Sequence, residues 1–599
     1  MMMWPTLSLF VSTAVFPCLA QASSGGDYDF VIAGGGIAGL VLADRLSENP
    51  NHSVLLLEAG PDPTGDPLVS TPALSGQLWP SKYSWNFTVV PQTRLSGATP
   101  ALHQGRVFGG GSGINFMAYC RGAKSVFDEW AEVSGIEDLA WDNIVQDFRN
   151  SANLYVPDPL PYEQPINTTV FSEDGPVFVS YDRPDRLSQL EPDFWNAWLN
   201  DPYQPAKTAD LTDGTGIGLV KGGPHAVRNS NGTRSYAWTA YGYRAASKPN
   251  VKILHGSRVV KINFDTSDPA SPRAVGVDYV AADDDTSPIT TVTGNEVIVS
   301  AGAINSPRLL LLSGIGPQAH LSAVGVPLVK DSPEVGSNLR DHHMLATIFS
   351  VPPSIVTASS LSNSTVLSAL EAEYHATAGG PLSEPGPQSS TFLTERVPDA
   401  VLRALDPGAN MSYYLSLPAD RPHLAYQYAG TSFLAEYAGA EYNAATAFVA
   451  LVQPEASGTV RLSSASYRDA PLIDSRYFGS DADYAVARYG LGRLLGVTRS
   501  ARVGVRELFP GPNRTEAQVF RDIAQTFHHP VGTVALGRAL DSGFRVKGVG
   551  GLRVVDSSAF PAITTCHTHA SVYALAEVAA RVIGGEDKRR ARGRKEGGL

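Results

Sequence analysis

The chain has 599 residues, of which 43% are hydrophobic and 17% are charged, so it is long enough to bury a large core and form two or more domains. Its formal net charge is -12. This acidic balance disfavours a nucleic-acid partner, because neutralising phosphates requires clustered Lys and Arg side chains.

The chain begins with a short apolar segment at residues 1–20, and Ala20 and Ala22 supply small residues for cleavage. This pattern predicts a secretory signal peptide at residues 1–22, with a short membrane anchor as the alternative because no Lys or Arg precedes the apolar part. No later segment is long and apolar enough to span a bilayer, so a secreted protein is expected. Seven N-x-S/T triplets agree with this route and predict N-glycans, at Asn51, Asn86, Asn167, Asn231, Asn363, Asn410 and Asn513.

Two cysteines, Cys120 and Cys566, remain once Cys18 leaves with the signal peptide. The fold is therefore expected to depend on its core and not on a disulfide framework. Pairing is the alternative, but a sequence does not place two Cα atoms within bonding reach, so both are predicted to be free thiols.

The first strong element is a strand, turn, helix and strand pattern. An apolar run at residues 28–33 meets three glycines and a helix-patterned segment at residues 37–47, and S-V-L-L-L-E then ends at Glu58. The glycines permit a tight turn, a close approach to a pyrophosphate, and close packing of helix on strand. N–H groups at the helix N-terminus face the phosphates, and the acid accepts hydrogen bonds from ribose hydroxyls. The pattern predicts a dinucleotide pocket with contacts from Gly34, Gly36, Ile37, Ala38, Gly39 and Glu58.

Further glycine-rich segments follow along the chain. The segment G-R-V-F-G-G-G-S-G-I-N at residues 105–115 lets the backbone lie flat against a bulky planar group. A leucine-rich helix pattern lies between two glycine turns at residues 301–316, and strand pattern returns at residues 551–556 before an alanine-rich helix from about Ser571. The intervening stretches carry strand patterns, as at residues 448–452 and 459–462, and predict a sheet that covers the cofactor, with residues 350–387 as a loop or lid.

Together these segments resemble the glucose-methanol-choline (GMC) family of FAD-dependent oxidoreductases, in particular its fungal secreted members of the aryl-alcohol oxidase and patulin synthase type. Residues 302–316 fit the second family signature, and residues 105–115 fit the first except at Phe108. The segment V-G-S-N-L-R-D-H at residues 335–342 is similar to a family segment near the flavin. The resemblance runs from Asp27 to about Ile583 and implies FAD, not NAD.

The fold implied by the resemblance is α/β, with a Rossmann-like FAD-binding domain and an interleaved α+β substrate-binding cap built on an antiparallel sheet. The FAD-binding domain is expected at residues 27–127, 234–345 and 526–585, and the cap at residues 128–233 and 346–525. Residues 586–599, which are rich in Lys and Arg, are predicted to form a disordered tail.

The resemblance also implies further cofactor contacts, and no metal site is predicted. Some family members bind the flavin covalently through a histidine just before the position of Asn115, where this chain has Ile114. FAD is therefore expected to be non-covalent. The helix that begins near Ser571 is expected to stabilise negative charge at flavin N1 through its free N–H groups. The contacts implied are Gly111, Ser112, Asn115, Val259 through its backbone near adenine, Asp556 and Thr568.

The catalytic pair implied by the family is His529, in H-H-P-V-G-T, and His567, in T-T-C-H-T-H. Oxidising an alcohol moves a hydride from carbon to flavin N5 while the hydroxyl proton leaves. A neutral imidazole, with an ordinary pKa of about 6.5, can accept that proton, and a positioned base contributes roughly 10²- to 10⁴-fold in rate. His529 is predicted to be the base and His567 to position the hydroxyl, whereas His528 and His569 are interpreted as lining or structural residues.

The substrate is expected to be an aryl or natural-product alcohol in fungal secondary metabolism, with oxygen or another electron acceptor. This expectation depends on an apolar pocket. Its candidate aromatics lie close in sequence to the flavin segments, with the buried core as the alternative place for each of them: Tyr83, Trp85, Phe116, Tyr236 and Trp238. The alternative is a non-redox cyclase of the versicolorin B synthase type, in which FAD is structural and the histidines assist ring closure. An inactive carrier or structural glycoprotein is disfavoured, because both histidines accompany complete cofactor loops.

Overall fold

The computed structural model describes residues 26–158, 166–181, 190–202, 205–208, 210–220, 223–284, 286–384, 391–439, 441–500 and 504–596, with side chains as far as residue 585. The predicted signal peptide lies outside the described residues. Among the helices described, none has the length and apolar character needed to cross a membrane.

The strands and helices are numbered in chain order. The strands are β1 Tyr28–Ala33, β2 Val54–Leu57, β3 Ser84–Thr88, β4 Ala101–Gly105, β5 Ala152–Tyr155, β6 Val177–Ser180, β7 Gly218–Val220, β8 Val227–Arg228, β9 Thr233–Arg234, β10 Val251–Leu254, β11 Ser257–Asp265, β12 Arg273–Ala281, β13 Thr290–Val299, β14 Ile315–Gly316, β15 Lys330–Asp331, β16 His343–Ser350, β17 Phe392–Glu395, β18 Leu424–Ala429, β19 Ala444–Leu451, β20 Thr459–Arg461, β21 Leu472–Asp474, β22 Arg506–Phe509, β23 Gln525–Thr526 and β24 Leu552–Val554. The helices are α1 Ile37–Leu46, α2 Pro67–Ser70, α3 Gly111–Ile114, α4 Lys124–Ser134, α5 Trp141–Ser151, α6 Glu191–Leu199, α7 Tyr243–Ala246, α8 Gly302–Leu312, α9 Gln318–Ala323, α10 Ser364–Thr377, α11 Asp399–Leu405, α12 Ser412–Ser416, α13 Asp481–Ser500, α14 Glu516–Ile523 and α15 His569–Glu596.

The first large sheet has the strand order β10-β2-β1-β13-β12-β11, and β24 also pairs with β13. The strands β10, β2, β1, β13 and β24 are parallel, whereas β11 and β12 pair antiparallel. The apolar runs of β1 and β2 are buried, as expected for strands whose crossover helices cover the sheet. The helix α1 follows β1 directly, and α15 packs against it. The predicted Rossmann-like arrangement is confirmed.

The second large sheet has the order β22-β16-β19-β18-β17-β7, with β23 paired to β16, and all its pairs are antiparallel. The long helix α13 packs on β19, which is buried along its whole length. This sheet is the predicted antiparallel sheet, and it contains the strand pattern predicted at residues 448–452. The two sheets together confirm the α/β fold class.

The pairing of β16 with β23 places two distant chain segments side by side. His343 stands opposite Thr526 in this pair, and just beyond the strand ends Phe527 N donates to His342 O over 2.8 Å. The residues before β16 and those after β23 are therefore neighbours. This register brings His342 and His529 together, although they are separated by 187 positions in the sequence.

Three predictions about local structure are corrected. Cys120 and Cys566 form a disulfide across 446 residues of sequence, with Cα atoms 6.0 Å apart, so neither is a free thiol. The alanine-rich helix predicted from about Ser571 is α15, which begins at His569 and extends to Glu596. The described part of the basic tail is helical, because its Ala, Arg, Lys and Glu residues favour helix and continue α15. The segment at residues 350–387 contains α10 where a loop or lid is predicted, and residues 385–387 lie outside the described part.

Candidate active site

The turn after β1 has the geometry expected of a dinucleotide-binding glycine motif. Gly34 has a φ of +116°, and a Cβ there would lie 2.3 Å from Ser300 O. A Cβ on Gly39 would lie 1.9 Å from Gly34 O, so only glycine permits α1 to pack this closely on the turn. Gly36, in contrast, is extended with a φ of -75°, and the nearest atoms to its ideal Cβ lie 3.9 Å away. The chain leaves open space at the position where the backbone is predicted to approach a pyrophosphate.

A cavity with an empty volume of about 1290 Å³ runs from this turn across the carboxyl ends of β1 and β2. Its features fit a bound dinucleotide. Ser300 Oγ is buried without a hydrogen-bond partner among the described residues and lines this cavity, and an ideal Cβ on Gly111 meets no atom within 4 Å. The predicted contacts that line the cavity are Gly34, Gly36, Ile37, Ala38, Glu58, Gly111, Val259, Asp556 and Thr568.

Two buried carboxyl groups stand at the wall of this cavity and hold its loops. Glu58 accepts hydrogen bonds from Gly35 N and Gly60 N, each over 2.7 Å, and burial raises its pKa to about 7 although these hydrogen bonds oppose the shift. Asp556 accepts from Gly302 N over 2.8 Å and from Ser558 N over 2.7 Å. Each acid therefore connects a glycine turn of the cavity to a neighbouring strand end.

Three of the predicted cofactor residues do not line this cavity. Gly39 lies beneath the turn, where its role is the close packing described above. Ser112 Oγ donates to Gly109 O over 2.7 Å and accepts from Ala237 N over 3.1 Å, so its hydroxyl closes the loop from within. Asn115 lines the neighbouring cavity instead, and its side-chain oxygen accepts from Met117 N over 3.0 Å.

That second cavity has an empty volume of about 1330 Å³ and meets the first one at the histidine-bearing loops. Seven residues line both cavities and so mark their junction: Ile37, Gln104, Gly105, Gly111, His528, His529 and Thr568. The walls of the second cavity include Trp79, Phe116, Phe392, Phe433, Phe448 and Phe527.

Most of the candidate substrate-pocket aromatics lie outside the second cavity. Phe116 lines the second cavity, whereas Trp85 lines the first. Tyr83, Tyr236 and Trp238 belong to the buried core that also contains the residues of β1 and β2. The missed aromatic residues come mainly from the second sheet, which is distant in sequence from the glycine motifs, and Phe527 follows β23 directly before His528.

The two predicted catalytic histidines face each other at the junction. His567 Nδ1 and His529 Nε2 are 3.2 Å apart, and their rings are perpendicular, with centroids 4.9 Å apart. On the other side of His529, its Nδ1 lies 3.0 Å from His342 Nδ1. Gln427 Nε2 lies 3.3 Å from His567 Nε2. The sequence prediction did not include His342 or Gln427, although the D-H pair of residues 341–342 was a signal for the former.

All of these imidazoles are held neutral at neutral pH. Burial lowers the pKa of His529 well below its usual range, and the nearby His567, His342 and His528 lower it further. Burial likewise lowers the pKa of His567 to about 3 and that of His342 to about 4. A neutral imidazole has one N–H donor and one lone pair, so each ring at this site can both donate and accept.

The disulfide lies directly beside this pair. Cys566 precedes His567 in sequence, and Cys120 lines the second cavity. Nearby, Thr565 Oγ1 accepts from Ala123 N over 2.8 Å. The loop that carries His567 is thus connected to the segment after α3 by one covalent bond and one hydrogen bond.

Comparison with known proteins decides the family. The GMC oxidoreductase models for the amino-terminal and carboxy-terminal parts match residues 28–344 and 454–576. The chain belongs to the GMC oxidoreductases. It is 31% identical to patulin synthase of Aspergillus clavatus over 93% of this chain and 92% of that protein. It is also 31% identical to pyranose dehydrogenase 3 of Leucoagaricus meleagris over 93% of each chain.

A solved structure agrees with this assignment. The FAD-dependent oxidoreductase of Chaetomium thermophilum has a TM-score of 0.80 and 28% identity, over 94% of this chain and 100% of that one. This GMC oxidoreductase is therefore an enzyme that binds FAD and acts on alcohol groups, as the sequence resemblance implied.

Proposed function

We propose that this GMC oxidoreductase oxidises an alcohol with His529 as the general base and His567 as the residue that positions the hydroxyl. The observation that carries the proposal is the 3.2 Å approach of His529 Nε2 to His567 Nδ1 at the junction of the two cavities. A hydroxyl at this junction can donate to one ring and accept from the other. The dinucleotide cavity and the aromatic cavity meet at the same place.

When the substrate binds, its hydroxyl replaces the hydrogen bond between the two rings. It donates to His529 Nε2, which takes its proton, and it accepts from His567 Nδ1–H, which holds the carbon in place. FAD held in the first cavity, against residues such as Gly36, Gly111 and Thr568, would supply the two-electron acceptor for the C–H hydrogen, and the substrate would become a carbonyl compound. His529 would then return the proton to solvent or to the reduced electron acceptor, which restores its neutral state. The low pKa of His529 keeps Nε2 unprotonated before substrate binds.

Several features of the cofactor and the chain belong to the proposal. FAD is non-covalent, because the apolar side chain of Ile114 stands where a covalent link would need histidine. The discontinuous FAD-binding domain and cap have the boundaries given above. The protein is secreted through its signal peptide and is N-glycosylated at some of its sequons.

The proposed substrate is an aryl or natural-product alcohol, in a pathway of fungal secondary metabolism. The five phenylalanines around the second cavity favour an aromatic molecule, because they offer apolar surface for a ring to pack against. The polar side chains of the same wall, such as His225 and Gln427, could bind sugar hydroxyls. Patulin synthase, which is a relative by sequence, agrees with this choice. Pyranose dehydrogenase makes a sugar the competing substrate.

The test is anaerobic mixing of the holoenzyme with 4-methoxybenzyl alcohol, a panel of other aromatic alcohols, and glucose, while the flavin absorbance is followed. We expect an aromatic alcohol to bleach the flavin, and His529→Ala to retain its yellow colour but reduce about 10²- to 10⁴-fold more slowly. Unchanged reduction in His529→Ala removes this residue from the role of base. A product that forms while the flavin stays oxidised indicates the cyclase instead.

A further inference from the structure

We propose that His342 is a positioning residue that fixes the tautomer of His529, so that Nε2 carries the lone pair and Nδ1 the hydrogen. This inference rests on the proposed role of His529 as the base. It assigns a function to the last residue of the V-G-S-N-L-R-D-H segment, which lies beside the catalytic pair.

The direction of hydrogen bonding is set at the far end of His342. Its Nε2 lies 2.9 Å from Thr564 O, a carbonyl oxygen that can only accept. His342 Nε2 must therefore carry the hydrogen. His342 is 1% exposed, and its pKa of about 4 keeps the ring neutral. A neutral ring with its hydrogen on Nε2 has a lone pair on Nδ1.

This lone pair determines the state of His529. His342 Nδ1 and His529 Nδ1 are 3.0 Å apart, and two lone pairs at that distance would repel, so His529 Nδ1 carries the hydrogen and donates. Because His529 is also neutral, its Nε2 is left as an acceptor towards His567. The opposite tautomer would present an N–H where the substrate proton has to be received.

The hydrogen bonds of His567 agree with this direction. His567 Nδ1 donates to His529 Nε2, which leaves His567 Nε2 as an acceptor for the amide hydrogen of Gln427 Nε2. From Gln427 to Thr564 O, each of these contacts then pairs one donor with one acceptor, and the backbone of Val452 offers the His342 ring a further carbonyl acceptor. Reversing the direction would leave Thr564 O facing a lone pair.

Asp341 holds the two rings in register. Its Oδ1 accepts from His342 N over 2.8 Å and from His529 N over 3.0 Å, and its other oxygen accepts from Thr526 Oγ1. One carboxyl group therefore fixes both backbones, while the antiparallel pairing of β16 with β23 aligns them.

The first experiment replaces the acceptor. His342→Phe keeps a planar ring but offers no lone pair, whereas the Oδ1 of His342→Asn can accept from His529 Nδ1. We expect anaerobic flavin reduction by 4-methoxybenzyl alcohol to slow about 10²-fold or more in His342→Phe, with little change in the alcohol concentration for half-maximal rate. His342→Asn should recover most of the rate. Equal losses in the two variants, or none in His342→Phe, overturn the proposal.

A double variant distinguishes this proposal from the proposed function. If His342 acts through His529, then His342→Phe should add no further loss in the His529→Ala background, because coupled residues are non-additive. A further loss of the same factor shows that His342 acts independently and refutes the inference alone. Wild-type rates in His529→Ala refute the proposed base itself.

A direct readout does not depend on turnover or on whether His342→Phe folds. The holoenzyme is labelled with ¹⁵N-histidine, and the imidazole signals of His529 are identified by their loss in His529→Ala. We expect a protonated Nδ1 and an unprotonated Nε2 at pH 7. A protonated Nε2 on His529 overturns the proposal whatever the variants do.

Discussion

Adding one methyl group to the glycine turn after β1 should separate cofactor binding from folding. An alanine Cβ at Gly36 has no neighbouring atom closer than 3.9 Å, and its extended backbone accepts any residue. Gly36→Ala should therefore change the stability of the apoprotein by less than about 1 kcal/mol. The methyl group would, however, occupy the space of the pyrophosphate.

The size of the binding effect follows from the hydrogen bonds that would be lost. Displacing a phosphate from two backbone N–H groups removes two charge-assisted hydrogen bonds of about 1.5–3 kcal/mol each. The loss of about 3 kcal/mol or more weakens FAD binding by roughly 10²-fold or more. Gly39→Ala should instead destabilise the folded apoprotein, because its Cβ would lie 1.9 Å from Gly34 O. The helix α1 would have to move, at a cost of about 3 kcal/mol in the free energy of unfolding.

The assay is FAD titration of the apoprotein by flavin fluorescence, together with thermal unfolding of each variant. Gly492→Ala is the matched control, because Gly492 lies in α13 and an ideal Cβ there meets nothing within 4 Å. Its FAD affinity should equal that of the wild type. Wild-type affinity in Gly36→Ala would refute the placement of the pyrophosphate, and an unaltered melting temperature in Gly39→Ala would refute the close packing of α1.

Three further predictions concern the junction of the cavities. Removing the disulfide in Cys120→Ser/Cys566→Ser should lower the free energy of unfolding by about 2–4 kcal/mol, and thiol titration of the denatured wild type without reductant should find neither thiol free. Burial holds the pKa of His529 well below its usual range, so the base stays neutral on acidification. The rate of flavin reduction should therefore stay constant through pH 6.5 and fall only in more acid solution. A decrease in rate centred near pH 6.5 would contradict this prediction. Gln427→Leu removes the donor to His567 Nε2 and should slow flavin reduction about 3- to 10-fold while FAD stays bound. An unchanged rate would show that Gln427 does not support His567 in the reaction.

The features that could be predicted from the sequence are those determined by residues close together in the chain. The turn at Gly34, Gly36 and Gly39 can be read from spacing, because a tight turn and a close helix contact each require a missing side chain within a few residues. The strand runs of β1 and β2 are likewise local, since strands covered on both faces are uninterrupted apolar segments. These features correctly predicted the first sheet and the cavity at its carboxyl edge.

The remaining features depend on contacts between distant segments. Cys120 and Cys566 meet only because the loop before α15 packs against the segment after α3, and no spacing rule reports that distance. The aromatic wall was missed for the same reason, since Phe392 and Phe448 reach the cavity from the second sheet. His342 was visible as part of a motif, but its contact with His529 required the register of β16 with β23.

The central claim is that an alcohol loses its hydroxyl proton to His529 while its C–H hydrogen reduces the bound flavin. The most direct measurement is anaerobic, single-turnover flavin reduction by 4-methoxybenzyl alcohol, or by the most reactive alcohol of the panel, with hydrogen or deuterium on the carbinol carbon. The account predicts that the deuterated alcohol bleaches the flavin several-fold more slowly, and that one carbonyl product forms for each flavin reduced. Product formation with the flavin still oxidised and no effect of deuterium would contradict it.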